Sequence, residues 1–286
     1  MTTHDYLVLD VFTDRPLEGN PVAVFTNAGE IDADTMQRTA RELSLSETVF
    51  ITDLPAPGEA QIRIFTPTLE LPFAGHPVLG TAFVLAELSG LDLVMLHPPA
   101  GAVPVALTRN AEGGLVHGEM EQPLPTAEAV PQPDELLAAL GVASGELALP
   151  LGAYRNGPLH VYVPLGSAER VAALRPDLGR LEALGPFGVS CYHLDAAAGR
   201  VRTRMFGPGV GVAEDPATGS AAGPLAVHLA AHGAIAYGRR IELLQGVEIR
   251  RPSRLFARVD GSPEQLERVL VGGSAVSVAR GRFRLT

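Results

Sequence analysis

Short apolar runs separated by turn residues recur along the whole chain and predict an α+β fold. Tyr6–Phe12 and Pro21–Phe25 are rich in β-branched and aromatic residues, and a Pro/Gly/Asn turn separates them, so they are predicted to form neighbouring strands. Asp32 can cap a helix that ends near Ser44, because the apolar residues after it recur on one helical face. Two more strands are predicted at residues 48–51 and 61–65.

Two apolar helices are predicted further along the chain. The first spans residues 77–88 and has Pro77 in its first turn, a position that proline favours. The second, Ser220–His232, is apolar nearly all round and must therefore be buried. Mixed sheets that each wrap one of these helices are the economical arrangement. The remaining strands are predicted near residues 92–97, 102–109, 114–120, 159–163, 187–194, 200–206, 241–244, 254–259 and 275–284.

Two segments of the chain look like copies of one strand-to-helix motif. Phe65–Pro67 leads to Pro72–His76, and Phe206–Pro208 leads to Asp215–Ser220; each joins a strand end to a glycine that opens an apolar helix. The prolines of the two copies lie 141 residues apart, close to half of the 286 residues. An internal duplication therefore explains the pattern. The alternative is coincidental turn chemistry, because the matches are short and rich in glycine and proline.

The duplication predicts two lobes, residues 1–126 and 127–286, with the active site in the cleft between them. The last strand is an element that could pack on the first lobe instead. Thr126–Pro133 is the best candidate for a linker, since prolines flank small and polar residues without periodicity.

Composition excludes several classes of function. The net charge is −10 and the chain has no Lys/Arg cluster, so nucleic acid is not an expected partner. A single cysteine, Cys191, excludes an internal disulfide and a multi-cysteine metal site. The first residues lack the layout of a signal peptide, and no apolar run approaches the ~18 residues that span a bilayer. We therefore expect a cytoplasmic protein without a membrane partner.

No motif predicts a cofactor or a metal. The chain has no Gly-x-Gly-x-x-Gly or Walker loop after a strand, so no nucleotide cofactor is expected. His228 and His232 share a helical face but lack a third ligand, which favours a structural role over a metal site. Phe65 and Phe73 are more consistent with core or cleft wall than with a base-stacking platform.

Three residues are candidates for proton chemistry. Glu47 lies between a predicted helix and an apolar strand, where burial would raise the pKa of its carboxyl toward the working pH. His76 precedes a proline at a helix start and can donate or accept near neutral pH. Asp215 is a third candidate. The structural alternatives are a capping or surface glutamate, a structural histidine, and a turn-forming Asp-Pro step.

Residues at the two predicted helix starts suit a carboxylate ligand. Gly75 and Gly219 would supply backbone N–H groups and Ser220 a hydroxyl. The alternative is that the glycines only allow close packing, and both explanations can hold together. Asn20 and Ser46 are secondary candidates as hydrogen-bonding residues of the substrate site.

The chain resembles the PhzF family of phenazine biosynthesis, and the resemblance covers essentially its whole length. The similarity rests on several long motifs in the right succession, namely Glu18–Phe25, Glu42–Thr48, Ile64–Pro67, Leu71–Pro77, Arg155–His160, Glu214–Ala222 and Leu244–Ile249.

The resemblance implies a diaminopimelate-epimerase-like fold with two pseudo-symmetric lobes, each a mixed sheet curled around a central helix, and a homodimer. Cofactor-independent racemases of that fold typically carry a cysteine in each half-site. Here the corresponding turns read Ala74-Gly75-His76 and Thr218-Gly219-Ser220, so two-thiol racemisation is not expected.

The resemblance also implies a reaction, a cofactor-independent proton shift in the small carboxylated ring trans-2,3-dihydro-3-hydroxyanthranilate. Glu47 would move a proton from C3 to C1, and the resulting enol would relax to the ketone. His76 and Asp215 would hold the amino and hydroxyl groups, while Gly219 and Ser220 would bind the carboxylate. Two alternatives stay open: an isomerase or epimerase acting on another carboxylated metabolite, and a dimer that binds such a metabolite without catalysis.

Overall fold

The structure is a computed structural model that describes residues 2–285, and the chain forms two units. Unit 1 comprises the residues up to Glu121 together with those from Gly272 onward, and unit 2 comprises Gln122–Val271. The first boundary thus lies before residue 126, and the C-terminal strand joins unit 1. No helix within residues 2–285 is long and apolar enough to cross a bilayer.

Eighteen strands and six α-helices make up the described chain. The first half contains β1 (Thr2–Val11), β2 (Asn20–Phe25), α1 (Ala33–Leu43), β3 (Glu47–Asp53), β4 (Glu59–Phe65), β5 (Glu70–Leu71), α2 (Gly75–Ser89), β6 (Leu93–His97), β7 (Val103–Arg109) and β8 (Leu115–Gln122). The middle contains β9 (Thr126–Glu128), α3 (Pro133–Leu140), β10 (Gly152–Arg155), β11 (Leu159–Pro164), α4 (Ala168–Ala172) and α5 (Leu178–Leu184). The remainder contains β12 (Gly188–Asp195), β13 (Arg200–Gly207), β14 (Val212–Asp215), α6 (Gly219–Ala231), β15 (Ile241–Gln245), β16 (Ser253–Gly261), β17 (Leu266–Gly273) and β18 (Ala275–Leu285). Two short 3-10 helices cover Ser144–Glu146 and Pro208–Val210.

Unit 1 is a mixed sheet around α2. Strand β1 pairs antiparallel with β2 and β18, whereas β2–β3 and β4–β6 are parallel pairs. Helix α2 is buried on nearly every side and contacts strands β1 to β4, β6 and β7. A helix that is apolar all round must be buried in this way.

Unit 2 repeats the strand connections of unit 1. The pairs β11–β12 and β13–β15 are parallel and correspond to β2–β3 and β4–β6, with β12–β13 antiparallel like β3–β4. Helix α6 takes the place of α2 and contacts β10, β11 and β16. The predicted α+β class and the duplication of a sheet around a central helix are therefore confirmed.

Helix α1 shows how local sequence sets a boundary. The Asp32 side chain accepts a hydrogen bond from the Thr35 backbone N–H, and Ser44 ends the helix in the left-handed conformation. Met36 and Ala40 face an apolar cluster in which the rings of Phe25 and Phe50 stack with centroids 4.8 Å apart. The helix predicted from the Asp32 cap to Ser44 is thus found where expected.

The segment predicted as a linker contains regular structure. Thr126–Glu128 forms strand β9, which pairs antiparallel with β10, and Pro133 starts helix α3. Leu136 and Leu140 of that helix are buried in the apolar cluster of unit 2. Of the two prolines in this segment, Pro133 therefore starts a helix, and Pro131 lies in the bend just before it.

Candidate active site

Three predicted site residues come together in unit 1. Asn20 is the first residue of β2, Glu47 is the first residue of β3, and His76 is the second residue of α2. Strands β2 and β3 are parallel, with Val22 opposite Glu47, so the two strands begin at the same edge of the sheet. The start of α2 brings the His76 ring to that edge.

The ring of His76 bridges the other two side chains. Its Nε2 lies 3.1 Å from Glu47 Oε2, and its Nδ1 lies 3.3 Å from Asn20 Nδ2. The His76 and Glu47 side chains are 5% and 14% exposed, respectively. Burial lowers the pKa of His76 to about 3, because the apolar surroundings disfavour the imidazolium. The ring is therefore neutral at pH 7, and its Nε2 contacts the Glu47 carboxyl without bringing a fixed positive charge.

A second polar cluster surrounds Asp215 in unit 2. Asp215 ends strand β14 and is buried, and the hydroxyl of Thr218 donates to its carboxylate. Gln245 Nε2 donates to the Asp215 carbonyl at 2.8 Å and to Thr218 Oγ1 at 2.9 Å. Its Oε1 accepts from the Thr218 backbone N–H at 3.3 Å. One buried glutamine from β15 thus holds the turn that carries Asp215.

Gly246, the residue after Gln245, explains why the turn that carries Asp215 can lie so close to β15. Gly246 has φ +75°, and a Cβ there would lie 2.3 Å from the Arg251 carbonyl oxygen and 2.6 Å from that of Pro216. Only glycine adopts this left-handed conformation without cost and leaves space for the Pro216 backbone.

Strand β14 is also held by an ion pair through Glu214. Arg204 on β13 makes a bidentate ion pair with Glu214, at 2.9 and 2.8 Å, and its Nη1 donates to the Leu174 carbonyl at 2.9 Å. Both side chains are nearly buried, so little water competes for these bonds. The residue directly before Asp215 is therefore fixed to the neighbouring strand.

The start of helix α6 has its own buried partners. Ser220 Oγ lies 3.0 Å from His160 Nε2, and the Gly219 carbonyl accepts from Gln122 Nε2 at 2.9 Å. Asn156 Nδ2 in turn donates to Gln122 Oε1 at 2.9 Å. Gly219 and Ser220 are the first two residues of the helix, as Gly75 and His76 are of α2. Both helix starts follow the pattern that the duplication predicts.

Four residues that shape these clusters were not predicted from the sequence: His160, Arg204, Thr218 and Gln245. Three of them lie inside motifs that were already noted, His160 in 155–160, Thr218 in 214–222 and Gln245 in 244–249. Their positions inside these motifs could therefore have identified these three residues as candidates. Ser46 directly precedes β3 and is partly buried, and its role stays a prediction, as does that of Gly75.

The single cysteine belongs to neither helix start. Cys191 is a buried free thiol on β12, and burial raises its pKa to about 12. A thiol with that pKa is protonated at neutral pH and is a poor base. Among residues 2–285, no three His, Cys, Asp or Glu side chains are grouped in a way that could hold a metal ion.

The mixed sheets around α2 and α6 give the chain an α+β fold of the diaminopimelate-epimerase-like class. A hydroxyproline epimerase from Agrobacterium vitis shares the fold, with a TM-score of 0.68 over 98% of this chain and 92% of that chain at 13% identity. A predicted epimerase from Pseudomonas aeruginosa matches with a TM-score of 0.83 and 34% identity over 99% of this chain and 100% of that one. The predicted fold class is therefore confirmed.

The family described as phenazine biosynthesis-like protein, PhzC-PhzF, matches residues 9–281. The chain belongs to this family. It is 50% identical to the trans-2,3-dihydro-3-hydroxyanthranilate isomerase of Pseudomonas aeruginosa and 48% identical to that of Pseudomonas chlororaphis. Each alignment covers 99% of this chain and 100% of the relative.

Proposed function

We propose that this protein is a cofactor-independent isomerase that converts trans-2,3-dihydro-3-hydroxyanthranilate to its ketone isomer by moving a proton. The observation that carries the proposal is the 3.1 Å contact between Glu47 and a neutral, buried His76. The near-complete alignment to isomerases of that substrate at 48–50% identity supports the choice of substrate.

Glu47 is the proposed acid/base catalyst. In the reactive form its ionised carboxylate lies against Nε2 of neutral His76, 3.1 Å away, and Nδ1 of the same ring lies 3.3 Å from the Asn20 amide nitrogen. The carboxylate removes the proton from C3 and becomes a carboxylic acid. It then returns the proton to C1 of the same ring and is an ionised carboxylate again, while the enol product relaxes to the ketone.

The neutral state of His76 matters for this cycle. A fixed imidazolium 3.1 Å from Glu47 would hold the carboxylate ionised and make it a weaker base. A neutral ring packed against the carboxylate leaves the basicity of Glu47 closer to what proton transfer from carbon requires. His76 therefore acts both as an orienting group and as a candidate ligand for a polar substituent.

The substrate-binding roles of the other residues are also proposals. The two helix starts supply backbone N–H groups, at Gly75 in α2 and Gly219 in α6, which favour anions. The Ser220 hydroxyl is the proposed donor to the substrate carboxylate, and the buried Asp215 is the proposed partner of the amino group. Asn20 and Ser46 are proposed as further contacts.

Proton NMR of the purified protein with trans-2,3-dihydro-3-hydroxyanthranilate tests the proposal. We expect the ring signals of the substrate to disappear and those of the ketone isomer to appear, with no added metal or cofactor. Binding without conversion would favour the non-catalytic dimer. Absence of both binding and conversion would favour an isomerase or epimerase of another carboxylated metabolite.

The assembly and the location follow as proposals of their own. We propose a homodimer in the cytoplasm, in keeping with the resemblance to the family. Size-exclusion chromatography with light scattering should give twice the 30.0 kDa mass of the chain. A monomer at micromolar concentration would contradict this part.

A further inference from the structure

A buried histidine that sequence analysis passed over contacts the proposed carboxylate ligand in unit 2. His160 lies on β11 and is 2% exposed, and its Nε2 is 3.0 Å from the hydroxyl oxygen of Ser220. Ser220 is itself buried at the start of α6. The inference drawn from this pair rests on the proposed function, in which Ser220 binds the substrate carboxylate.

The strand registers show which residues of unit 1 correspond to His160 and its neighbour Gly188 in unit 2. In unit 1, Glu47 on β3 lies opposite Val22 on β2, and in unit 2, Gly188 on β12 lies opposite His160 on β11. The antiparallel pairs Thr48–Phe65 and Val189–Phe206 confirm that Glu47 and Gly188 occupy equivalent positions. Unit 2 therefore lacks a side chain where unit 1 carries its carboxylate.

The imidazole of His160 takes up the space over Gly188. A Cβ at Gly188 would lie 2.9 Å from His160 Nδ1, so the ring packs directly against the glycine. The helix start of unit 1 is thus paired with a carboxylate from β3, and that of unit 2 with an imidazole from β11. An imidazole beside Ser220 adds no negative charge that would repel a carboxylate ligand.

The surroundings of the ring decide which nitrogen carries the proton. Burial lowers the pKa of His160 to about 4, so the ring is neutral at pH 7 and has one N–H. Its buried Nδ1 has no hydrogen-bond partner within residues 2–285. A buried N–H without an acceptor is costlier and rarer than an unused lone pair. The proton therefore belongs on Nε2, which donates to Ser220 Oγ.

The direction of this bond determines what Ser220 offers a ligand. A hydroxyl oxygen that accepts from His160 keeps its own O–H for donation, whereas one that donates to His160 would present only lone pairs to an anion. We propose that His160 is a positioning residue that commits the Ser220 hydroxyl to donate to the substrate carboxylate. Its effect on the reaction passes through Ser220 and concerns substrate binding.

The tautomer is directly measurable in the protein without substrate. Long-range nitrogen–proton NMR of the full chain labelled with nitrogen-15 histidine, assigned with His160→Gln, should show the Nε2–H form of His160 at pH 7.5. The Nδ1–H form, or an imidazolium, would overturn the inference. This measurement decides the point even if the protein fails to convert trans-2,3-dihydro-3-hydroxyanthranilate, so the two proposals fail separately.

Kinetics of conversion test the positioning role. His160→Leu should raise KM about 10- to 100-fold, the loss expected for a hydrogen bond to a charged group, with kcat changed less than about threefold. His160→Gln, whose amide nitrogen can donate near the position of Nε2, should recover most of the loss. His193→Leu is the control, because that histidine on β12 bonds the Leu165 carbonyl instead.

A double-mutant cycle with Ser220→Ala separates positioning from general destabilisation. If His160 acts through Ser220, then adding His160→Leu to Ser220→Ala should raise KM less than about twofold further. Independent effects that multiply would overturn the role, as would a fall in kcat with KM unchanged. Should His160→Leu not fold, the Gln variant in the same cycle gives the answer.

Discussion

Nε2 of His76 lies 3.1 Å from Oε2 of Glu47, although the two residues lie at the starts of different elements of unit 1. The contact joins the start of a strand to the start of the central helix. Because both side chains are largely withdrawn from water, the Glu47 carboxyl interacts more strongly with the imidazole than it would in a solvent-exposed contact. The same unit contains a second Glu–His pair, Glu59 and His97, at 3.6 Å on its surface, with Glu59 46% exposed.

These two pairs give a matched test of the proposed base. Glu47→Gln removes the carboxylate but keeps its size, so kcat should fall at least about 1000-fold, because general acid/base catalysis contributes on the order of 10²–10⁴ and this residue serves as both acid and base. Glu59→Gln should leave kcat within about twofold. Substrate conversion by the purified variants is the measurement, and a Glu47→Gln enzyme with more than a tenth of the wild-type kcat would count against the assignment.

A carboxylate in place of the Asn20 amide should change the charge state of His76. Asn20→Asp puts an acceptor beside Nδ1, 3.3 Å away in the wild type, so the pKa of His76 should rise from about 3 toward or above 6.5. We therefore expect the His76 ring to be protonated near neutral pH. We also expect kcat to fall, because the imidazolium would weaken Glu47 as a base. Carbon-13 NMR titration of the His76 ring checks this, and an unchanged titration midpoint would show that Asn20 does not interact with the ring in solution.

Local sequence was enough to predict the elements that carry their own signals. The Asp32 cap, the β-rich strands 21–25 and 61–65 and the two apolar helices were all predicted and are all present. The short helices α3, α4 and α5 were missed, because helices of eight residues or fewer depend on tertiary packing. Buried residues such as Leu136, Val171 and Leu181 supply that packing.

The candidate site was predictable only in part, because its residues carry local signals but the contacts between them do not. Glu47 and His76 stood out as polar residues at element boundaries inside motifs, but their contact depends on the parallel register of β2 and β3 and on where α2 starts. The hydrogen bonds from Gln245 form only because β15, a strand 30 residues further along the chain, lies beside the turn at Asp215. Such long-range pairings leave no periodic trace in a single sequence.

Gln245 should contribute to both stability and substrate affinity. Gln245→Leu removes the acceptor of the Thr218 N–H in a buried position, which should lower the free energy of unfolding by about 1–3 kcal/mol. KM should rise as well, because the turn that carries Asp215 loses its support. Urea denaturation and steady-state kinetics measure the two effects.

Gln265→Leu is the control for that substitution, since Gln265 lies on the surface. A Gln245→Leu variant as stable as this control would contradict the claim that Gln245 stabilises the turn that carries Asp215. Loss of stability with an unchanged KM would limit the role of Gln245 to folding.

Acid should destabilise unit 2 through His228. Burial, reinforced by the neighbouring His232, lowers the pKa of His228 from 6.5 to about 4, while its ring stacks on Tyr162 with centroids 5.9 Å apart. The unfolded chain therefore takes up this proton at higher pH than the folded one. The contribution to stability is complete above about pH 6.5 and is lost as the pH falls toward 4.

The free energy of unfolding should therefore decrease from pH 7 to pH 5, and the slope should be shallower in His228→Gln by up to about 1.4 kcal/mol per pH unit. Urea denaturation at several pH values measures both slopes. Equal slopes in the two proteins would show that His228 titrates normally in the folded state.

Transfer of an isotope label tests the central claim most directly. Substrate carrying deuterium at C3 should be converted in ordinary water to a ketone that retains a detectable share of deuterium at C1, because one carboxylate, Glu47, takes the label and returns it. Deuterium NMR of the product, with Glu47→Gln giving no conversion, would agree with the account. Full conversion with no deuterium at C1, or conversion by Glu47→Gln at the wild-type rate, would contradict it.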